Sequence, residues 1–180
     1  MKKLFLLLFL FLASFPSNAQ NELIEKGCYG LKIGGSASIY QLRTYSITAT
    51  PHYKVTSKLD AGLGLGFLYS YHLGERSGCS MPFYADVKYA FHNKRVTPFI
   101  EAQFGLNINL TSTESVSYTK FGLRYITIQT GVSVRHSDFS VGIMSYNYTQ
   151  HNMMNYGWDT YYASGHSLFL RYAYNFKLTK

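Results

Sequence analysis

The sequence predicts an all-β fold: an eight-stranded antiparallel up-and-down transmembrane β-barrel whose polar interior is filled by side chains. Three observations predict it. Apolar and polar residues alternate in twos along most of the chain, which is the period of a strand with two unlike faces. Short and long connections alternate between those segments. Aromatic residues reach 17% while charged residues make up only 14%, yet beyond residue 19 no apolar run approaches the ~18 residues that a spanning helix needs. Amphipathic strands reconcile a greasy composition with the absence of long greasy runs.

The chain opens MKKLFLLLFLFLASFPSNAQ. Lys2 and Lys3 precede an apolar run from Leu4 to Phe15, and Ser17-Asn18-Ala19 gives a small-x-small cleavage site, so residues 1–19 read as an export signal peptide removed before Gln20. The run is too short to be a retained anchor. Residues 20–27 then form a periplasmic N-terminal tail and residues 28–180 a single barrel domain, as the length allows.

The strands follow in order. Cys28 to Tyr40 sets Tyr29, Leu31, Ile33, Ala37 and Ile39 against Lys32, Ser36 and Ser38. In SITATPHYKVT, Ile47, Ala49, Pro51, Tyr53 and Val55 alternate with Ser46, Thr48, Thr50, His52, Lys54 and Thr56. DAGLGLGFLYSY, from Asp60 to Tyr71, puts Ala61, Leu63, Leu65, Phe67, Tyr69 and Tyr71 on one face, with Gly62, Gly64, Gly66 and Leu68 on the other. Its glycines do not make a phosphate-binding loop, because such a loop must open a helix and none follows. Met81 to Phe91, Thr97 to Leu110 and His166 to Leu178 alternate in the same way. Phe121 to Arg135 and Phe139 to Thr149 complete the eight, but their apolar phase slips near Tyr125 and Ile143, where a bulge is expected. A bulge is also expected at Pro51, since proline removes a ladder hydrogen bond.

The connections at Ser57 to Leu59, Asn93 to Val96 and His136 to Asp138 are short. Those at His72 to Ser80, Thr111 to Lys120 and Gln150 to Gly165 are long, and only the first, near Gln41 to Thr44, departs from the pattern. Short turns on one side and long loops on the other are the habit of barrels that cross an outer membrane. A twelve-residue strand rises about 40 Å and, tilted by ~45°, covers roughly the ~30 Å hydrocarbon thickness. Closure is required as well, because an open sheet edge in lipid leaves amides without partners.

The pattern SITATPHYKVTSKLDAGLGLGFLYSY, an alternating strand leading through a tight turn into a glycine-rich strand, resembles the outer-membrane β-barrel domain family of small OmpA/OmpX-like proteins from Gram-negative bacteria. The likeness covers about Cys28 to Leu178 and implies an architecture and an outer-membrane location rather than an activity. Such barrels commonly finish on an aromatic residue, whereas here Phe176 is followed by Lys177-Leu178-Thr179-Lys180.

Eight strands close a barrel so narrow that side chains fill it. With Val55 paired to Leu59, Gly62 faces His52, Gly64 faces Thr50, Gly66 faces Thr48, and Lys54 faces Asp60; the glycines then make room for side chains reaching across. With Phe91 meeting Pro98, Lys88 faces Glu101 and Asp86 faces Gln103. An interior charge cluster of Lys32, Asp86, Lys88, Glu101 and Arg171 is therefore expected, each charge satisfied by another because an unpaired one is costly to bury. It reads as an ion gate or as a packed polar core that fixes register, and the second is favoured. Tyr29, Tyr53, Tyr89, Phe91, Tyr174 and Phe176 fall near one set of strand ends, and Tyr40, Tyr69, Tyr71, Phe83 and Tyr148 near the other, as two aromatic belts would.

Candidate chemistry is sparse. His136, Ser137 and Asp138 have the composition of a triad, but neighbours in a tight turn do not converge as a relay must. His166 and Ser167 suit a lipid-modifying enzyme by level, yet adjacent strand residues point to opposite faces. The histidines, His52, His72, His92, His136, His151 and His166, lack ligand spacing, so neither metal nor other cofactor is expected. Cys28 and Cys79 belong to opposite ends and too far apart for a disulfide. The formal net charge of +8 includes Lys2 and Lys3 of the signal and is otherwise scattered, unlike a nucleic-acid footprint. The expected function is a non-enzymatic structural or surface-interaction role in the outer membrane, with a narrow pore, a lipid-modifying enzyme or a soluble lipocalin-like carrier as alternatives. Its partners are then membrane lipid and an extracellular protein or glycan met through the long loops, with Tyr156, Trp158, Tyr161 and Tyr162 as a candidate binding surface.

Overall fold

The computed structural model describes residues 27–38, 43–71, 78–92, 95–110, 116–118, 121–154 and 157–179. The expected signal peptide and nearly all of the expected tail lie outside them. The strands are β1 (Tyr29–Ser38), β2 (Arg43–Lys54), β3 (Leu59–Tyr71), β4 (Gly78–Ala90), β5 (Val96–Asn109), β6 (Val116–Tyr118), β7 (Phe121–Val134), β8 (Ser137–Met154) and β9 (Gly157–Thr179). Leaving aside the three-residue β6, each strand pairs antiparallel with the next, and β9 pairs with both β8 and β1. The sheet therefore closes into an eight-stranded barrel with no edge at membrane level.

The apolar rows face outward. Ile47 is 68% exposed, Leu63 59% and Ile143 58%, whereas Thr48, Gly64 and Met144, next to them in sequence, are buried. That orientation excludes a lipocalin-like carrier, which would turn the same rows inward. At the short-turn end the outward rings pair, across strands for Tyr29 with Tyr53 at 5.0 Å, and along one strand direction for Tyr89 with Phe91 at 5.5 Å and Tyr174 with Phe176 at 4.7 Å. Tyr69 and Phe83 face outward toward the other end. Tyr40 lies outside the described residues.

The expected registers hold at Lys54↔Asp60, His52↔Gly62 and Thr48↔Gly66, and at Lys88↔Glu101 and Asp86↔Gln103. The Val55 amide donates to Leu59 and the Phe91 amide to Pro98. Three expectations need correction. Pro51 makes no bulge: the β2–β3 register is the same on both sides of it, and Pro51 remains paired to Leu31 of β1, so the strand tolerates its missing donor without slipping. Nor is there a shift at Ile143, where β8 keeps one register with β7 and one with β9; the apparent slip there arises because apolar Met144 points inward. A shift does occur beside Tyr125, between Gly105 and Asn107 on the facing strand β5.

Finally, Gln150 to Gly165 is not a loop. β8 and β9 stay paired up to Met154↔Gly157, so most of this segment is a hairpin continuing the barrel wall, and β6, from the expected loop Thr111 to Lys120, lies against it through Val116↔Asn152 and Tyr118↔Gln150. The polar, Asn-rich composition suggested a loop, but a strand that has left the lipid no longer needs an apolar face.

Candidate functional site: the barrel interior

The inward positions of each strand follow from the period of two, so the interior is assembled from residues far apart in sequence. Lys32 of β1 donates to Asp86 of β4 at 2.7 Å and to Glu101 of β5 at 2.8 Å. Arg171 of β9 donates to the same Glu101 at 2.7 Å and to the Thr48 hydroxyl at 3.3 Å. Gln103 donates to Asp86 at 2.9 Å and to Glu101 at 3.1 Å, while its own oxygen accepts from Thr127 at 3.1 Å. All four charged side chains are buried. Ion pairs so placed hold only when their remaining donors and acceptors are met, because taking each charge out of water costs several kcal/mol.

Four members of the expected cluster thus meet, and the fifth does not. Lys88 lies opposite Glu101 in register, but its amino group reaches toward the short-turn end. There it donates to Asp138 at 2.6 Å and to Ser133 at 3.0 Å, beneath the Phe99 ring at 4.3 Å. Asp138 also accepts from Ser133 at 2.6 Å and from Asn175 at 3.0 Å. Glu101 already serves two cations, so a free carboxylate on β8 is the better partner. Sequence reasoning missed Asp138 by starting this strand two residues late, at Phe139; β8 begins at Ser137, and the inward parity then reaches Asp138.

Lys54 and Asp60 form a further pair at 2.8 Å on the more open rim. Every carboxylate whose side chain is described, Asp60, Asp86, Glu101 and Asp138, is matched by a cation: Lys54, Lys32, Arg171 and Lys88. The described interior is formally neutral.

Toward the other end the filling becomes apolar. Leu68, Tyr84, Tyr125, Met144 and Phe169 form one buried cluster across the bore, with the Tyr84 and Tyr125 rings 5.5 Å apart. Tyr84 lies over Gly64, where any Cβ would run into its ring, and its hydroxyl is hydrogen-bonded to Thr50 at 2.9 Å. The glycine-rich stretch therefore makes the room expected of it. Beyond this cluster Ser38 and Thr44 are hydrogen-bonded to each other.

The other candidates separate. His136 faces outward against Tyr174, with ring centroids 5.9 Å apart, while Asp138 faces inward, so no relay forms. His166 is exposed and Ser167 buried on the opposite face. Cys28 and Cys79 are not bridged to each other: the Cys28 carbonyl accepts from Lys54 at the short-turn end, and Cys79 pairs with Tyr69 near the other. Trp158, Tyr161 and Tyr162 lie on β9 opposite Met153, Gln150 and Thr149; Tyr156 lies outside the described residues.

No family model matches the chain, and no curated protein matches it in sequence. Solved structures do. The chain is similar to outer membrane protein AlkL, solved in DMPC lipid bilayers, at 11% identity and a TM-score of 0.56, over 93% of this chain and 97% of that one. Weaker likenesses reach the outer membrane enzyme PagL, with a TM-score of 0.49, 18% identity, and coverage of 81% and 98%. They also reach the N-terminal β-barrel domain of Pseudomonas aeruginosa OprF, with a TM-score of 0.44, 14% identity, and coverage of 84% and 98%. What this chain shares with AlkL is its fold, that of a small eight-stranded outer-membrane β-barrel.

Proposed function

We propose that this chain is a non-enzymatic integral outer-membrane protein, exported by a signal peptide cleaved before Gln20, whose barrel is a closed scaffold for surface interaction. The observation that carries the reading is the filled bore: a neutral network of buried ion pairs in series with an apolar cluster. An ion crossing it would have to break pairs held at 2.6–2.8 Å and then pass Leu68, Tyr84, Tyr125, Met144 and Phe169, which offer it almost nothing to replace its hydration. The non-enzymatic reading is supported by the separation of His166, which faces outward, from Ser167, buried on the opposite face. The interaction role rests on the β8–β9 hairpin. Past Ser145 it carries roughly 30 Å of strand on each arm, enough to lift Trp158, near its far end opposite Met153, clear of the headgroups toward an extracellular protein or glycan, with Tyr161 and Tyr162 lower on the same arm.

The test is single-channel recording of the mature protein in planar bilayers. Closed traces are expected at moderate voltage, and regular unitary steps from pure, folded protein would overturn the closed-scaffold reading in favour of a narrow pore.

A further inference from the structure

The outer surface of β7, β8 and β9 changes character within two residues. One outward row crosses the three strands as Ile128, Ile143 and Leu168, paired Ile128↔Ile143 and Ile143↔Leu168 and exposed by 58%, 58% and 51%. The next row away from the short turns is Ile126, Ser145 and His166, and the row beyond is Arg124, Asn147 and Ser164 by register. Aliphatic contact with lipid tails therefore gives way, on these three adjacent strands, to a hydroxyl, an imidazole and a guanidinium. Arg124 and His166 are both exposed on this face. The Ser145 hydroxyl is shielded from solvent and has no hydrogen-bond partner. The carboxylates whose side chains are described, Asp60, Asp86, Glu101 and Asp138, are already paired with cations of the interior and rim.

We infer that Arg124, Ser145 and His166 form a seat for the phosphate of a membrane lipid headgroup, at the boundary where the tails of that lipid lie along Ile126, Ile143 and Leu168. A guanidinium fork suits phosphate oxygens in geometry as well as charge, and its charge-assisted hydrogen bonds are stronger than neutral ones. Ser145 supplies a donor with no competing acceptor, and His166 a second ring donor across the pair. The aliphatic row directly below argues for a lipid over free phosphate, since only a lipid covers both rows at once. The seat rests on the membrane-spanning reading of the barrel and not on the absence of conduction.

The test reconstitutes the mature protein in phosphatidylcholine nanodiscs doped with dioleoyl phosphatidate or dioleoylglycerol, followed by native mass spectrometry of the lipid retained. Nanodiscs expose both leaflets, so the result does not depend on which way the barrel faces. Wild type is expected to retain phosphatidate about tenfold over the R124Q/H166Q variant, the size of one strong charge-assisted contact, and S145A to fall between them. All three should retain dioleoylglycerol equally. Arg124 and His166 are exposed and S145A removes a single oxygen, so unchanged gel mobility before and after boiling checks that each variant is folded. Equal phosphatidate retention by wild type and R124Q/H166Q would overturn the seat. Displacement of phosphatidate by millimolar inorganic phosphate would overturn its assignment to a lipid.

Discussion

Glu101 is the residue on which the interior turns, because among the described residues it alone accepts from both Lys32 and Arg171. Replacing it with alanine leaves Arg171 buried without a carboxylate and Lys32 with Asp86 alone, so E101A should destabilise the barrel by about 3–5 kcal/mol. D60A, which breaks the rim pair where Lys54 is 23% exposed, should cost roughly 1 kcal/mol or less. Urea unfolding from lipid vesicles measures both, and equal losses would mean that Glu101 is not the hub. A second residue acts through the backbone. The turn between Val134 and Ser137 holds Arg135 at φ 58°, where a Cβ crowds the following carbonyl. R135G should therefore stabilise by about 0.5–1 kcal/mol, the relief of a left-handed residue set against glycine's greater freedom when unfolded. A loss of stability in the same assay would show that the Arg135 side chain contributes more than its backbone strain costs.

Among the elements, β3 and β4 show how an apparent weakness of sequence becomes packing. Gly64 is open on its inner face so that the Tyr84 ring can lie there, hydrogen-bonded to Thr50 and tilted against Tyr125. G64A should cost about 2 kcal/mol by overpacking. In a Y84A background the same change should cost almost nothing, a coupling of about 2 kcal/mol in a double-mutant cycle; additive effects would dissociate the glycine from the ring. This arrangement was legible in the alternation of DAGLGLGFLYSY, as were the registers of β2 with β3 and β4 with β5, because tight turns fix which residues face one another. Tyr125, Met144 and Phe169 were harder to read. Apolar residues on the inner face imitate a phase slip, and only the closed circle of strands reveals that they meet Leu68 and Tyr84. The destination of Lys88 was hidden for a related reason: a long side chain in a narrow bore chooses among several strands, and pairwise register names only its nearest neighbour. The β8–β9 hairpin escaped because outside lipid a strand loses the apolar row that marks it.

For the whole molecule, closure places the two cysteines at opposite ends of one wall. Cys28 sits beside Lys54, which faces Asp60 at the start of β3, and Cys79 faces Tyr69 near the end of that same strand. The stretch of β3 between those levels rises roughly 30 Å, while a disulfide needs its Cα atoms about 5.5 Å apart. Both thiols should therefore stay alkylatable when folded protein in vesicles is treated with a mild oxidant, then unfolded in urea without reductant and analysed by mass spectrometry. Closure also predicts that unboiled protein runs compact on a denaturing gel, since detergent cannot peel a sheet that has no edge, and that E101A converts to the slower, unfolded form at a lower temperature than wild type. The two measurements probe different parts of one claim. Compact migration together with an intramolecular Cys28–Cys79 bridge would mean a closed barrel threaded differently from this one. Two free thiols without compact migration would mean strands in the right order whose ends, β1 and β9, do not hold each other.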